Sequence, residues 1–281
     1  MAQSDYTQAQ RQIIAALDVA PQFDVQKEIK DRVAFLHEKM QASGMRTLVL
    51  GISGGVDSLT AGLLAQHAVR QAREQGQDAA FIAMRLPYGV QRDEDDAQHS
   101  LDVIKPDQVL TVDIKPASDA MLSAIKASGQ TFQSAAQEDF VLGNIKARQR
   151  MIAQYAVAGA MRGLVIGTDQ AAEALMGFFT KHGDGAADLT PLTGLNKRRV
   201  RALAAALGAP DSLVFKVPTA DLENLAPLKP DEDAFGVSYE TIDDFLEGKA
   251  IAAGDAEIIL RQYGVTAHKR ALPATPYAPN P

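Results

Sequence analysis

The chain contains no cysteine, and this absence removes several kinds of chemistry. Without a thiol there is no disulfide framework, no thiolate metal centre and no cysteine nucleophile. The five histidines are scattered and do not form the His-Glu-x-x-His pattern of a zinc site. We therefore expect that any bound metal is magnesium held by carboxylates.

Basic blocks and long apolar runs are also lacking. The formal net charge of the 281 residues is −7, which argues against a nucleic-acid-binding surface. No apolar run approaches the roughly 18 residues that a membrane span requires. The polar residues 1–11 do not have the features of a secretory signal. We expect a cytoplasmic protein that binds neither nucleic acid nor membrane.

Apolar strands alternate with amphipathic helices through the middle of the chain. Strands are predicted at 47–52, 79–86, 108–114 and 163–167, and helices between and after them at 58–75, 94–104, 118–127 and 137–161. This alternation predicts an α/β fold in which a doubly wound, mostly parallel sheet carries helices on both faces. Ligands of such sheets bind at the carboxyl ends of the strands.

Helical patterns also flank this core. They are predicted at 7–19, 23–40, 197–207, 239–247 and 256–263. Neither an internal repeat nor a linker interrupts the chain. We expect one domain over residues 1–281, with N-terminal helices in 1–44 and a mobile tail at 271–281.

The stretch 48–59, LVLGISGGVDSL, joins an apolar strand to a helix through small residues. Its adjacent glycines can adopt backbone angles that point consecutive N–H groups at one anion. Its two serines add hydroxyl donors, and the start of the helix adds partial positive charge. The predicted phosphate-binding residues are Gly51, Ile52, Ser53, Gly54, Gly55, Val56, Asp57 and Ser58.

Asp57 stands where a Walker loop carries its lysine. An acid in an anion-binding loop is unfavourable unless a cation intervenes. The simplest explanation is a magnesium ion that bridges Asp57 and phosphate oxygens. The structural alternative is a Gly-Ser turn with an acid at the start of the next helix.

Further polar residues lie at predicted strand ends and in one unusual loop. Arg85 lies at the end of the second strand and Thr168 follows the fourth. The structural alternatives are a turn after Arg85 and a helix cap at Thr168. Residues 177–188, GFFTKHGDGAAD, combine glycines with aromatic side chains. A long irregular segment of this kind is typical of a binding loop or lid.

These stretches together resemble the ammonia-dependent NAD synthetases of the N-type ATP pyrophosphatase superfamily. The pattern Ser-Gly-Gly-x-Asp-Ser identifies the superfamily, whose fold is adenine-nucleotide alpha-hydrolase-like. The more specific matches are 85–89, 144–148, 167–169 with Glu173, 178–188, 218–221 and 268–270. The resemblance implies that ATP adenylates the nicotinate carboxylate of deamido-NAD, releasing pyrophosphate, and that ammonia then displaces AMP.

The resemblance also implies roles for matched residues. Asp57 and Glu173 would bind Mg²⁺. Asp57, Lys197 and Asp221 would take part in catalysis, because a lysine can neutralise charge on the departing pyrophosphate and an aspartate can assist the ammonia. Besides the loop, the implied ATP contacts are Arg85, Thr168, Lys197 and Thr219. The implied deamido-NAD contacts are Arg148, Lys181, Asp188, His268 and Lys269.

The absence of cysteine and the family resemblance together predict the nitrogen source and the assembly. Relatives that use glutamine carry an amidase domain with a cysteine nucleophile, so a chain without cysteine is expected to use free ammonia. The family implies a homodimer, with the helix at 137–161 as the candidate interface. Two alternatives stay open: another ATP pyrophosphatase aminator, such as a GMP-synthetase-like enzyme, and a non-catalytic ATP-binding sensor. The sensor would not need Asp57, Glu173 and Lys197 together.

Overall fold

The computed structural model describes residues 3–90, 94–220, 222, 225 and 229–276. Its centre is a parallel sheet of four strands in the order β3-β2-β1-β4. The strands are β1 Thr47–Gly51, β2 Ala80–Arg85, β3 Gln108–Thr111 and β4 Gly163–Val165. A parallel bridge between Ile166 and Leu189 extends the sheet beside β4. The chain order reverses between β1 and β4, so a crevice is expected there.

Helices surround this sheet over the described ranges. They are α1 Gln3–Ala16, α2 Val25–Ser43, α3 Val56–Glu74, α4 Glu94–Ile104, α5 Lys115–Ala127, α6 Ala135–Met161, α7 Ala171–Met176, α8 Lys197–Ala206, α9 Asp211–Val214, α10 Asp231–Phe235, α11 Tyr239–Leu246, α12 Ala253–Val265 and α13 Ala267–Arg270. Two short strands, β5 Thr219–Ala220 and β6 Lys229–Pro230, pair antiparallel. In the described part of the chain, no helix is both long and apolar enough to cross a membrane.

Side chains of β1 alternate between two apolar clusters, as the pleat of a strand requires. Leu48 and Leu50 pack with residues of α2, α3 and α8 on one face. Val49 packs with Ile82 of β2 and Ala158 of α6 on the other face. Helices therefore cover both faces of the sheet, and the predicted doubly wound α/β fold is confirmed.

A third apolar cluster joins the two ends of the chain. Ile13 of α1 packs there with Leu175 of α7, Tyr239 and Phe245 of α11, and Ile259 of α12. This cluster fixes α7 and α11 beside the sheet. Both helices supply side chains to the candidate site described below.

The predicted elements are confirmed in kind, but several ends differ. The third strand stops at Thr111 rather than at residue 114, and α6 begins at Ala135 rather than at residue 137. The first helix spans Gln3–Ala16 instead of 7–19, since Asp18 adopts a left-handed φ of 55° that a helix cannot continue. The short helices α9, α10 and α13 are not among the predicted elements.

Candidate active site

A cavity of about 520 Å³ opens at the carboxyl ends of the strands, at the crevice beside β1 and β4. Gly51 at the end of β1 lines its floor together with Met84 of β2. Gly167 and Thr168, which follow β4, also line it. The predicted placement of the ligand site at the strand ends agrees with this geometry.

The loop between β1 and α3 is braced by its own serines. The N–H of Ser53 donates to Ser58 Oγ at 3.3 Å, and the hydroxyl of Ser58 donates to the carbonyl of Gly55 at 3.0 Å. Gly54 has a φ of +85°, and a Cβ there would lie 2.9 Å from the backbone nitrogen of Ala97. Gly54 thus packs against α4, while the cavity is lined by Gly51, Ile52, Ser53, Gly55, Val56, Asp57 and Ser58.

Lys197 provides a buried cation in the cavity wall. Its side chain is 1 % exposed, and Nζ donates to Asp57 Oδ2 at 2.6 Å and lies 4.0 Å from Glu173 Oε1. Burial lowers the pKa of Lys197, but the carboxylates of Asp57 and Glu173 outweigh it, so the net pKa is raised. The ammonium therefore stays charged beside the phosphate-binding loop.

The backbone of Lys197 is fixed by its capping partners. Asn196 Oδ1 accepts a hydrogen bond of 2.9 Å from the N–H of Arg199, as an N-cap does. Asp243 of α11 accepts bonds of 3.0 Å and 2.7 Å from the N–H groups of Lys197 and Arg198. Burial raises the pKa of Asp243 to about 6, although these two donors oppose the shift. Helix α11 thus sets the starting point of α8.

Several acidic side chains lie in and around the cavity. Burial raises the pKa of Asp169 to about 7, with further contributions from Asp184 and Asp57. Burial and the Asp57 carboxylate raise the pKa of Glu173 well above its usual value. Asp184 lines the cavity, where solvent reaches it, yet the surrounding protein still raises its pKa. The excess of acidic groups makes this part of the cavity favourable for cations.

The pair formed by Asp57 and Glu173 fits a divalent cation. Asp57 Oδ1 is buried, and no hydrogen-bond partner for it occurs among the described residues. A buried carboxylate oxygen without a donor is suited to a metal ligand. No group of three or more His, Asp and Glu side chains in the described ranges is arranged to hold a metal by itself. Phosphate oxygens and water would have to complete the coordination.

The remaining predicted ATP contacts fall into two groups. Thr168 and Thr219 line the cavity. Arg85, at the end of β2, is 3 % exposed, lies outside the cavity lining and pairs with Glu94 at 2.6 Å. A cation that sequence analysis missed, Lys216, lines the cavity instead. Its ammonium lies 2.6 Å from Asp96 and 3.4 Å from the carbonyl of Gly54.

Lys269 lines the other end of the cavity and organises the loop after α7. Its Nζ donates to the carbonyls of Gly177 and Phe179 at 2.8 and 2.9 Å. Burial lowers the pKa of Lys269, and Asp184 partly offsets this effect. Gly177, at the start of this loop, packs directly against Thr266. A Cβ at position 177 would lie 2.3 Å from the Cβ of Thr266, so only glycine fits there.

The other predicted deamido-NAD contacts lie outside the cavity lining in the described structure. Lys181 Nζ donates to the carbonyls of His268 and Ala271 at 2.6 and 3.1 Å. Arg148 donates to the carbonyl of Lys181 at 3.2 Å. Asp188 accepts a bond of 2.8 Å from the N–H of Val165, and the side chain of His268 is exposed. These residues brace the loop at 177–188, and their contact with a dinucleotide stays a prediction.

Comparison with known proteins settles the family. The NAD synthase model matches residues 28–273. This chain belongs to the NAD synthase family. It is 63 % identical over 275 residues to the NH(3)-dependent NAD(+) synthetase of Burkholderia cenocepacia, covering 98 % of each chain.

Two solved structures support the same assignment. The NAD+ synthetase from Burkholderia pseudomallei superimposes with a TM-score of 0.83 and 57 % identity, covering 95 % of this chain and 98 % of that one. The NMN synthetase from Francisella tularensis gives a TM-score of 0.79 and 34 % identity, covering 92 % and 100 %. The resemblance seen in the sequence is therefore confirmed.

Besides Lys216, two further residues at or beside this cavity could not be found from the sequence. Asp231 lines the cavity, and its N–H donates to the carbonyl of Pro218 at 3.1 Å, beside Thr219. The hydroxyl of Tyr239 donates to Asp231 Oδ2 at 2.9 Å. In the sequence, Asp231 resembles any acid in the first turn of a helix, and only the pairing of β5 with β6 brings it here. Asp221, the predicted ammonia-assisting residue, lies outside the described residues.

Proposed function

We propose that the protein makes NAD from deamido-NAD, ATP and ammonia, and releases AMP and pyrophosphate. In the first step an oxygen of the nicotinate carboxylate attacks the α-phosphorus of ATP, and pyrophosphate leaves. In the second step ammonia attacks the activated carbonyl carbon, AMP leaves and one proton is released. Besides family membership, the observation that carries this proposal is the buried Lys197 beside Asp57 in the glycine-serine loop.

The loop and Lys197 form the proposed ATP end of the cavity. Backbone N–H groups and the hydroxyls of Ser53 and Ser58 are available to the phosphates. The Lys197 ammonium neutralises charge that develops on the departing pyrophosphate. Thr168 and Thr219 line the adjoining wall, and Arg85 supports the site through Glu94 at the start of α4.

Asp57 and Glu173 are the residues that we propose to hold Mg²⁺. A bound Mg²⁺ supplies charge neutralisation at the phosphate oxygens. The proposal is supported by Asp57 Oδ1, which has no hydrogen-bond partner among the described residues, and by the pKa of Glu173, which burial and then the neighbouring Asp57 carboxylate raise.

The loop at 177–188 forms the proposed deamido-NAD end. Lys269 lines the cavity there. Lys181 and Asp188 belong to the loop, and Arg148 and His268 lie beside it. Asp221 is the residue proposed to assist ammonia.

The assembly and the location of the protein are further proposals. Helix α6 exposes Phe140, Ile152, Tyr155 and Met161, and we propose that this helix forms the interface of a homodimer. Light scattering of the wild type and of Ile152→Glu tests this, since the charged variant is expected to be monomeric. A cytoplasmic location remains a prediction from the sequence.

A direct assay tests the reaction. Purified protein is incubated with ATP, Mg²⁺, ammonium and deamido-NAD, and the NAD and pyrophosphate formed are measured. The two products are expected in equal amounts. Nicotinate mononucleotide and xanthosine monophosphate replace deamido-NAD in parallel reactions, because one similar structure is an NMN synthetase and the alternative function is that of a GMP-synthetase-like aminator. Folded protein that forms no NAD contradicts the proposal, and preferential use of another acceptor corrects the substrate.

A further inference from the structure

The Lys197 ammonium has an aromatic neighbour besides its two carboxylates. The ring centroid of Tyr239, the first residue of α11, lies 4.7 Å from Lys197 Nζ. Tyr239 is 2 % exposed, so water does not compete for the ring face. A cation this close to a desolvated ring is attracted by the negative face of the π system.

The Tyr239 ring is itself fixed from several directions. Its hydroxyl donates to Asp231 Oδ2 at 2.9 Å, and its backbone N–H donates to Glu232 Oε1 at 2.7 Å. The ring packs edge-on against Phe235, with centroids 5.4 Å apart. Asp231 is bonded in turn to the segment that carries Thr219, through the carbonyl of Pro218.

We propose that Tyr239 and Asp231 are positioning residues for Lys197 during ATP cleavage. This inference rests on the proposed function. The ring attracts the ammonium without neutralising it, whereas a further carboxylate at that place would compete with the phosphate for the positive charge. The Tyr239–Asp231 hydrogen bond fixes the ring, so the ammonium keeps its place when the pyrophosphate leaves.

The second oxygen of Asp231 supports this assignment. Asp231 Oδ1 is buried, and it has no hydrogen-bond partner within the described part of the chain. An acid kept in such surroundings for helix capping alone is unfavourable, because its desolvation is not compensated. Among the described residues, the one side chain that Asp231 is seen to accept from is Tyr239, whose hydroxyl bonds its other oxygen, so the carboxylate serves to hold the ring.

The central test compares two leucine substitutions in the same helix. Tyr239→Leu removes the ring beside Lys197. Phe245→Leu removes a fully buried ring from the same apolar cluster, where it packs on Tyr6 at a centroid distance of 6.0 Å. For each variant, kcat, the KM for deamido-NAD and for ammonium, and the urea midpoint of unfolding are measured.

Tyr239→Leu is expected to lower kcat about ten-fold with both KM values within about two-fold of wild type, since the lost interaction acts on pyrophosphate departure. Phe245→Leu is expected to lower the urea midpoint and leave kcat unchanged. A wild-type kcat in Tyr239→Leu, or an equal loss of kcat in both variants, overturns the inference.

Milder variants keep the test decisive where Tyr239→Leu does not fold. Tyr239→Phe and Asp231→Ala each break the hydrogen bond and are expected to lower kcat about three-fold. The double variant is expected to be no worse than either single variant, because both remove the same bond. Asp231→Asn retains an acceptor and is expected to recover most of the loss. Unchanged kcat in both single variants, or full additivity, overturns the inference.

These measurements also distinguish failure of the positioning role from failure of the proposed function. A wild type that forms no NAD overturns the proposed function. A wild type that forms NAD, with Lys197→Met inactive and Tyr239→Leu fully active, overturns the positioning role alone.

Discussion

The two ends of the cavity use their lysines differently. At the phosphate end, Lys197 lies between carboxylates, 2.6 Å from Asp57 and 4.0 Å from Glu173. At the loop end, Lys269 of the cavity lining and Lys181 of the adjoining loop donate to backbone carbonyls at 2.6 to 3.1 Å. The lysine at the phosphate end therefore neutralises negative charge, whereas the lysines at the loop end fix the conformation of the loop. Substitutions at the two ends should therefore fail in different ways.

Of the substitutions considered, Lys197→Met should lower kcat most, and it tests the role of the cation at the phosphate end. We expect kcat to fall about a thousand-fold, because the charge on pyrophosphate loses its buried counterion. Loss of the cation also leaves buried carboxylates unpaired, at a cost of about 3–5 kcal/mol in the free energy of unfolding. Activity and urea unfolding measure both effects.

Lys216→Met is the matched control, since Lys216 lines the same cavity but is less buried. It should lower kcat much less than Lys197→Met. Equal losses in the two variants would contradict the special role of Lys197.

Glu173→Gln should come next and separates metal binding from stability. We expect about a hundred-fold loss of Mg²⁺-dependent turnover, since one proposed ligand is lost. Burial and the Asp57 carboxylate already raise the pKa of Glu173, so its charged form is unfavourable in the folded protein. In EDTA at pH 7.5, removing this charge should therefore raise the free energy of unfolding. Asp57→Asn should instead lower it, because Lys197 loses its 2.6 Å partner. If both variants were equally destabilised, the assignment of the repulsion to Glu173 would be wrong.

Lys269→Met tests the loop end and should have a smaller effect. We expect the KM for deamido-NAD to rise about ten-fold with little change in kcat, because two loop carbonyls lose their common donor. Limited proteolysis should show faster cleavage within 177–183. Lys249→Met, which removes the two surface ion pairs of Lys249 with Asp244 and Glu247, is the control and should change neither quantity. A fall in kcat with an unchanged KM would place Lys269 in the chemistry instead.

Asp169→Asn should produce the smallest effect, a change in the pH dependence of stability. Because the folded-state pKa of Asp169 is raised to about 7, its stabilising contribution is complete below its unfolded pKa and is lost as the pH rises through 7. Wild-type stability should therefore decline more steeply than that of the variant between pH 4 and 7, by up to about 1.4 kcal/mol per pH unit. Urea unfolding in EDTA at several pH values measures this slope. Parallel curves would show that the pKa of Asp169 is not raised in the folded protein.

The sequence could predict the sheet and the phosphate end because the information there is local. The pattern around Asp57 specifies strand, turn and helix within a few residues, and the alternation of strands and helices specifies the layers. The roles of Lys269 and Lys181 as loop supports could not be read in this way, since their acceptors are carbonyls 90 or so residues away. Every residue has a backbone carbonyl, so the sequence does not indicate which carbonyls accept these hydrogen bonds.

Long-range packing explains the other residues that sequence analysis missed. Asp231 enters the cavity only because β5 pairs with β6, and Tyr239 is placed by a cluster that joins α1 to α11. Each element has an ordinary local pattern. Asp231 and Tyr239 reach the site through contacts between residues that are far apart in the sequence.

The ion pair between Asp57 and Lys197 also bears on how the molecule is made. Its partners lie 140 residues apart, so the pair can form only after most of the chain has been synthesised and the layers have docked. A nascent chain that ends before Lys197 presents Asp57 and Glu173 with no ammonium between them. Acquisition of an active cavity should consequently be among the last events of folding, later than closure of the β1–β2 pair.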